Sequence, residues 1–151
     1  MPDVRSGADQ DVPSSTPPQT FTTVGRWSLE SASELAHVRH AIHDALTTLG
    51  TGVPDQVADQ IVLVTSELAT NALRHGIPPA VVNLGVDGTA LLLDVADHHP
   101  GRAPVLAGER AVGAGGFGLM ITQRLAADVG WYTTRTAKHV WATFRTMPPV
   151  P

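Results

Sequence analysis

Val64 to Gly76 reads VTSELATNALRHG, and in it a carboxylate, Glu67, and a carboxamide, Asn71, stand four residues apart inside an apolar helical pattern. At that spacing both side chains leave a helix on one face. The pair suits a magnesium-phosphate site, because Asn71 offers a hard oxygen ligand while Glu67, one turn earlier, can take a proton from a nucleophile. Taken alone, the same two residues also describe an ordinary solvated helix face. Pro54 stands where this helix can start, and Val57, Ile61, Val64, Leu68 and Ala72 form its buried stripe, with Glu67 and Asn71 beside the stripe and not opposite it. The pair therefore lies at the margin of a core.

Two further stretches follow downstream. Leu91 to Asp97, LLLDVAD, reads as a buried strand that ends in a carboxylate, and Gly113 to Leu119, GAGGFGL, is a glycine cluster opening onto an apolar helical run. In this order the three segments resemble the N, G1 and G2 boxes of the GHKL (Bergerat-fold) ATPases, the superfamily of gyrase B and the histidine kinases. The match is nearest to the small single-domain branch that contains the anti-sigma factor serine/threonine kinases and similar ATP-binding regulators of actinobacteria. It covers Arg26 to Arg145, and ELATNALRHG followed by GGFGL is its most specific part.

The resemblance implies a role for each matching residue. Glu67 is similar to the general base acting on water or a substrate hydroxyl, and Asn71 to the asparagine that coordinates Mg²⁺ on the phosphates of ATP, a cation that an acidic protein needs in order to bind a polyanion. Asp97 matches the aspartate whose carboxylate accepts a hydrogen bond from the adenine amino group. Guanine presents a carbonyl at that point, which would set two acceptors face to face, so ATP is expected over GTP. Gly115, Gly116 and Gly118, with Leu119 closing the box, match the segment where missing side chains let backbone N–H groups approach the phosphates and the next helix points its positive end at them. Arg74 and His75 follow Asn71 as they often do in this branch and could face a phosphate or a partner; as a helix-terminal basic pair they equally suit the macrodipole without any ligand. The stretch from His98 to Gly113, rich in Gly and Pro and too long for a simple connection, corresponds to the ATP lid. Two departures from the family pattern have expected costs. DHHPGRAP, after the strand, lacks the second glycine of the most regular boxes, implying modest adenine affinity, and Phe117 replaces a polar side chain, implying slow turnover.

Composition fits this reading. A chain of 151 residues with 42% hydrophobic content can bury one core but not two. The formal charge of −4 argues against nucleic acid as the main partner, although seven His residues add positive charge below neutrality. Without cysteine there are no disulfides, thiolate metal sites or cysteine nucleophiles. No apolar run approaches the ~20 residues needed to cross a bilayer, and the amino terminus is polar where a signal peptide is apolar, so the cytoplasm is the expected location.

Residues 1–20 combine Pro, Ser, Asp and Gly with little to bury and read as a flexible tail; 21–146 form the ATP-binding domain, and 147–151 are a loose end. Within the domain, Phe21 to Leu29 suits an edge strand. Ser31 heads a capping box with Glu34, and an amphipathic helix runs from Leu35 to a stop at Gly50. Ala80–Val86 and Thr89–Val95 flank Asp87-Gly88, a hairpin signal. Gly118–Ala127 is helical in pattern, and Gly130–Thr134 and His139–Thr146 are closing strands. The expected class is α+β: a two-layer sandwich with helices on one face of a mixed, mostly antiparallel sheet.

His43-Asp44 sits on the first helix and reads as surface, His98 and His99 lack a third ligand for a metal site, and Trp131 and Trp141 are expected to fill the core. Three functions remain open. An anti-sigma kinase would transfer the ATP γ-phosphate to Ser or Thr of an anti-anti-sigma (STAS-type) protein and sequester a sigma factor, with a homodimer compatible. A regulatory module would use nucleotide only to tune partner binding. A histidine-kinase ATPase fragment ranks third, since no acceptor hairpin is present.

Overall fold

The computed structural model describes residues 12–48, 53–88, 90–101 and 118–146, and in them side-chain alternation builds five strands: β1 (Thr22–Leu29), β2 (Ala80–Asp87), β3 (Ala90–Asp97), β4 (Asp128–Thr133) and β5 (Lys138–Arg145). They form one sheet in the order β1-β2-β3-β5-β4, every strand antiparallel to its neighbours. Gly88, at φ 59°, makes the turn between β2 and β3 that Asp87-Gly88 announces. Along β2, β3 and β5 every second residue points inward: Val82 and Leu84, then Leu91, Leu93 and Val95, then Val140, Ala142 and Phe144 are all buried.

Three helices, α1 (Leu35–Thr48), α2 (Asp55–His75) and α3 (Gly118–Leu125), cover this inward face. A short 3₁₀ turn, Ala32–Glu34, precedes α1, and the Glu34 carboxylate accepts the backbone N–H groups of Glu30 (2.6 Å) and Ser31 (3.3 Å), as the capping box requires. On α2 the buried stripe is Ala58, Ile61, Val64, Thr65, Leu68, Ala69 and Ala72, with Val57 only half-buried. Each of Ile61, Val64 and Leu68 contributes roughly 1.5–3 kcal/mol by leaving water. Thr65 is tolerated there because its hydroxyl donates to the Ile61 carbonyl at 2.7 Å. The α+β sandwich is thus as expected, except that the named strands are wholly antiparallel.

The only parallel pairing among the described residues comes from the amino-terminal segment. Residues 12–20, expected to belong to a loose tail, pair along the β4 edge and then pass over the sheet face opposite the helices. Ser14 bridges Trp131 in parallel, the Trp131 N–H donates to the Pro13 carbonyl at 3.0 Å, and the Ser15 N–H donates to the Trp131 carbonyl at 2.8 Å. Trp141 is 5% exposed, yet it lies on that outer face, covered by the segment and donating Nε1–H to the Ser15 carbonyl at 2.8 Å. A Cβ at Gly130 would overlap both Ser15 Oγ and the Trp141 ring, so glycine is required for the close approach. Val12 is buried as well. Two backbone hydrogen bonds, one ring hydrogen bond and the burial of Val12 and Trp141 thus act against the ordering entropy of a segment whose composition announces none of them. Residues 1–11, Gly50 and residues 147–151 lie outside the described residues.

Candidate functional site

The carboxylate that ends β3 is held in place by three different elements. Asp97 is 2% exposed; its Oδ1 accepts the His99 N–H at 2.7 Å and its Oδ2 stands 3.5 Å from Lys138 Nζ on β5. Lys138 is itself 3% exposed, so the ion pair is buried. Gly76, the residue that ends α2, packs on the same carboxyl so closely that a Cβ would overlap it. The loops behind are stitched together: the His98 N–H donates to the Ile77 carbonyl at 2.9 Å, and His98 Nδ1 lies 3.3 Å from the Pro79 carbonyl. Among the described residues one buried side-chain polar atom has no partner, His99 Nδ1, two residues from Asp97.

From Gly76 the helix rise of 1.5 Å per residue places Asn71 about 7.5 Å and Glu67 about 13.5 Å back along α2. Both are half-buried, at the margin of the stripe, and neither makes a hydrogen bond or ion pair among the described residues. Glu67 and Asn71, one turn apart, thus share a face of α2, and the buried Asp97 carboxylate packs at the C-terminal end of the same helix. Arg74 is exposed and His75 half-buried, and both already have interactions, so neither stands as a free cation. Their position in the last turn of α2 complements the macrodipole, with Asp55 in the first. α3 begins at Gly118, with Leu119 buried, and packs against α2. Gly115, Gly116, Phe117 and the lid from 102 onward lie outside the described residues.

Among the described residues no three His, Asp or Glu side chains are placed to hold a metal. Asn71 is the side chain that would offer a hard oxygen to Mg²⁺, a cation that keeps water and phosphate oxygens among its ligands. The unpartnered His99 Nδ1 near Asp97 fits a polar heteroaromatic ring. Lys138, His99 and Gly76 were missed as site residues by sequence reasoning. A signal existed for the first: Lys138 shares the inward face of β5 with Val140, Ala142 and Phe144, and an inward lysine needs an anionic partner.

A second polar cluster occupies the outer face. Asp94, 7% exposed, accepts from His139 Nδ1 at 2.8 Å and from the Tyr132 hydroxyl at 3.4 Å, while the Tyr132 and His139 rings stack at 4.5 Å. Burial first, then the Asp94 charge and hydrogen bond, push the Tyr132 phenol up to about 12. Beside it, the amino-terminal segment and Arg26, Asn83 and Leu92 line an open pocket of about 440 Å³.

The family model of the histidine kinase-like ATPase domain matches residues 30–144, and the chain belongs to that family. No curated protein matches the chain. Among solved structures, the RsbU and RsbW domains of Rv1364c from Mycobacterium tuberculosis share its fold, with a TM-score of 0.61 and 17% identity. That alignment covers 84% of this chain and 34% of the other, so this chain spans about a third of its neighbour's length. No helix among the described residues is long and apolar enough to cross a membrane.

Proposed function

We propose that the chain binds Mg-ATP along α2 and acts as an anti-sigma-type serine/threonine kinase, modifying a STAS-type partner and sequestering a sigma factor. The supporting observation is that Glu67 and Asn71 share a face of α2 one turn apart while Asp97, buried at the end of β3, packs on Gly76 at the end of the same helix, so that proton acceptor, metal ligand and base acceptor follow in that order along the helix axis. ATP supplies the γ-phosphoryl group, and Mg²⁺ supplies the charge that lets an acidic protein hold it. Asp97 orients the base through its carboxylate, while Asn71 offers its amide oxygen to the cation. Glu67, which makes no hydrogen bond or ion pair among the described residues, is available to hold the proton released by a serine or threonine hydroxyl of the partner.

A second reading has support from the same site. Asp97 is already engaged by Lys138 and His99, so a weak, purely regulatory use of nucleotide also fits. Incubation with γ-labelled ATP, Mg²⁺ and STAS-type proteins separates the two. Acid-stable label on the partner, reduced ~10²- to 10⁴-fold in Glu67→Gln while ATP affinity stays within a few fold, supports the kinase. Label transfer by Glu67→Gln at the parental rate removes the base role, and no transfer by the parent leaves the binding module.

A further inference from the structure

The chain contains a single lysine; every other cation is arginine. That lysine is Lys138, buried and 3.5 Å from the carboxylate proposed to read the nucleobase. As a structural device the pair is poor value, since a buried ion pair roughly breaks even against apolar packing once desolvation is counted. Its chemistry suits recognition better. A carboxylate alone offers only acceptors, which suits the adenine amino group and repels a carbonyl at the same ring position. An ammonium has three N–H donors. One can stay on Asp97 Oδ2 while another reaches the base, to the N1 acceptor of adenine or to the O6 carbonyl of a 6-oxopurine. The ammonium then stands between O6 and the carboxylate and removes the acceptor-acceptor repulsion. His99 Nδ1, buried and unpartnered beside Asp97, supplies a third polar position that can accept the N1–H of a 6-oxopurine in its neutral tautomer.

We infer that Lys138 is a specificity-determining residue that makes this pocket accept 6-oxopurine as well as adenine triphosphates. The inference rests on the nucleotide site proposed above and revises the expected exclusion of the 6-carbonyl. The two are tested separately by titrating Mg-ATP and Mg-ITP into the parent and Lys138→Met. Inosine triphosphate is the cleaner probe because it changes the 6-position without adding a 2-amino group. The parent should bind ITP within about tenfold of ATP, and Lys138→Met should widen that gap to about 10²-fold or more, because the 6-carbonyl then faces a bare carboxylate.

The lone lysine also provides a direct readout. Selective ¹³C,¹⁵N-lysine labelling leaves the ammonium untouched and gives NMR signals from one lysine side chain. Those signals should move on addition of either nucleotide. A parent that binds ATP yet rejects ITP as strongly as Lys138→Met, or a lysine signal that neither nucleotide moves, overturns the inference and leaves the ATP site standing. Binding of neither nucleotide overturns both. Where Lys138→Met fails to fold, the parental ATP-to-ITP ratio and the lysine signal decide without it.

Discussion

Gly76→Ala tests the site through a single methyl group. Gly76 has φ −106° and ψ −163°, extended backbone that alanine adopts without strain, so any effect comes from the side chain. The added Cβ overlaps the Asp97 carboxyl, which must swing away from the end of α2. That movement breaks the His99 N–H hydrogen bond, a charge-assisted contact of roughly 1.5–3 kcal/mol, and loosens the buried pair with Lys138. Reduced freedom of the unfolded chain returns about 0.4–1 kcal/mol. A net loss of about 1–2 kcal/mol follows, or a fall in Tm of roughly 2–8 °C for a domain of this size. Nucleotide should suffer more, because a displaced Asp97 no longer meets the base: a contact of about 1.5–3 kcal/mol corresponds to roughly ten- to 150-fold in Kd. Calorimetric titration with Mg-ATP and urea unfolding measure the two effects. Parental stability together with parental ATP affinity would refute the assignment of this contact as the base pocket.

Asn71→Ala should abolish Mg-dependent ATP binding while leaving urea stability nearly unchanged, since the side chain has no partner among the described residues to lose; calorimetry with and without Mg²⁺ checks it. The raised Tyr132 pKa gives a pH signature. Between the ordinary value of 10.0 and about 12 the folded phenol keeps its proton while the unfolded one releases it, so stability falls as pH rises through that window. Tyr132→Phe should flatten that slope in urea titrations at pH 9 to 12, and an unchanged slope would exclude the phenol as its source. Gly130→Ala should push Ser15 and the segment before it off the sheet, exposing Trp141 and shifting tryptophan emission to the red; identical emission would mean that the close approach is absent in solution.

Much of this architecture was legible because its signals are local. The α2 stripe repeats every three or four residues, and Asp87-Gly88 marks its own turn. Glu67, Asn71 and Asp97 could be nominated because each stands within a short motif. What sequence concealed depends on pairs far apart in the chain. Trp141 meets Ser15 across 126 residues, and no periodicity in the polar segment 12–20 announces that a tryptophan will hold it. Asp94 and His139 are likewise 45 residues apart. Gly76 was readable as a helix stop but not as clearance for a carboxylate, because that role exists only once β3 is folded against α2. Lys138 fell just outside the expected closing strand, one residue before His139, and with it went the cation of the site.

The strand order leaves the sheet with two rims, β1 and β4. Pro13 and Ser15 engage both backbone groups of Trp131 in the middle of the β4 rim, which blunts it as a template for another chain. The β1 rim has no such cover among the described residues, although the bulge between Thr23 and Gly25 interrupts its regularity. A molecule with one usable rim can join a second copy through it only once, β1 to β1 about a two-fold axis. Sheet extension therefore terminates at a pair, whereas a chain stripped of its first twenty residues would have two rims and the geometry to grow into a fibre.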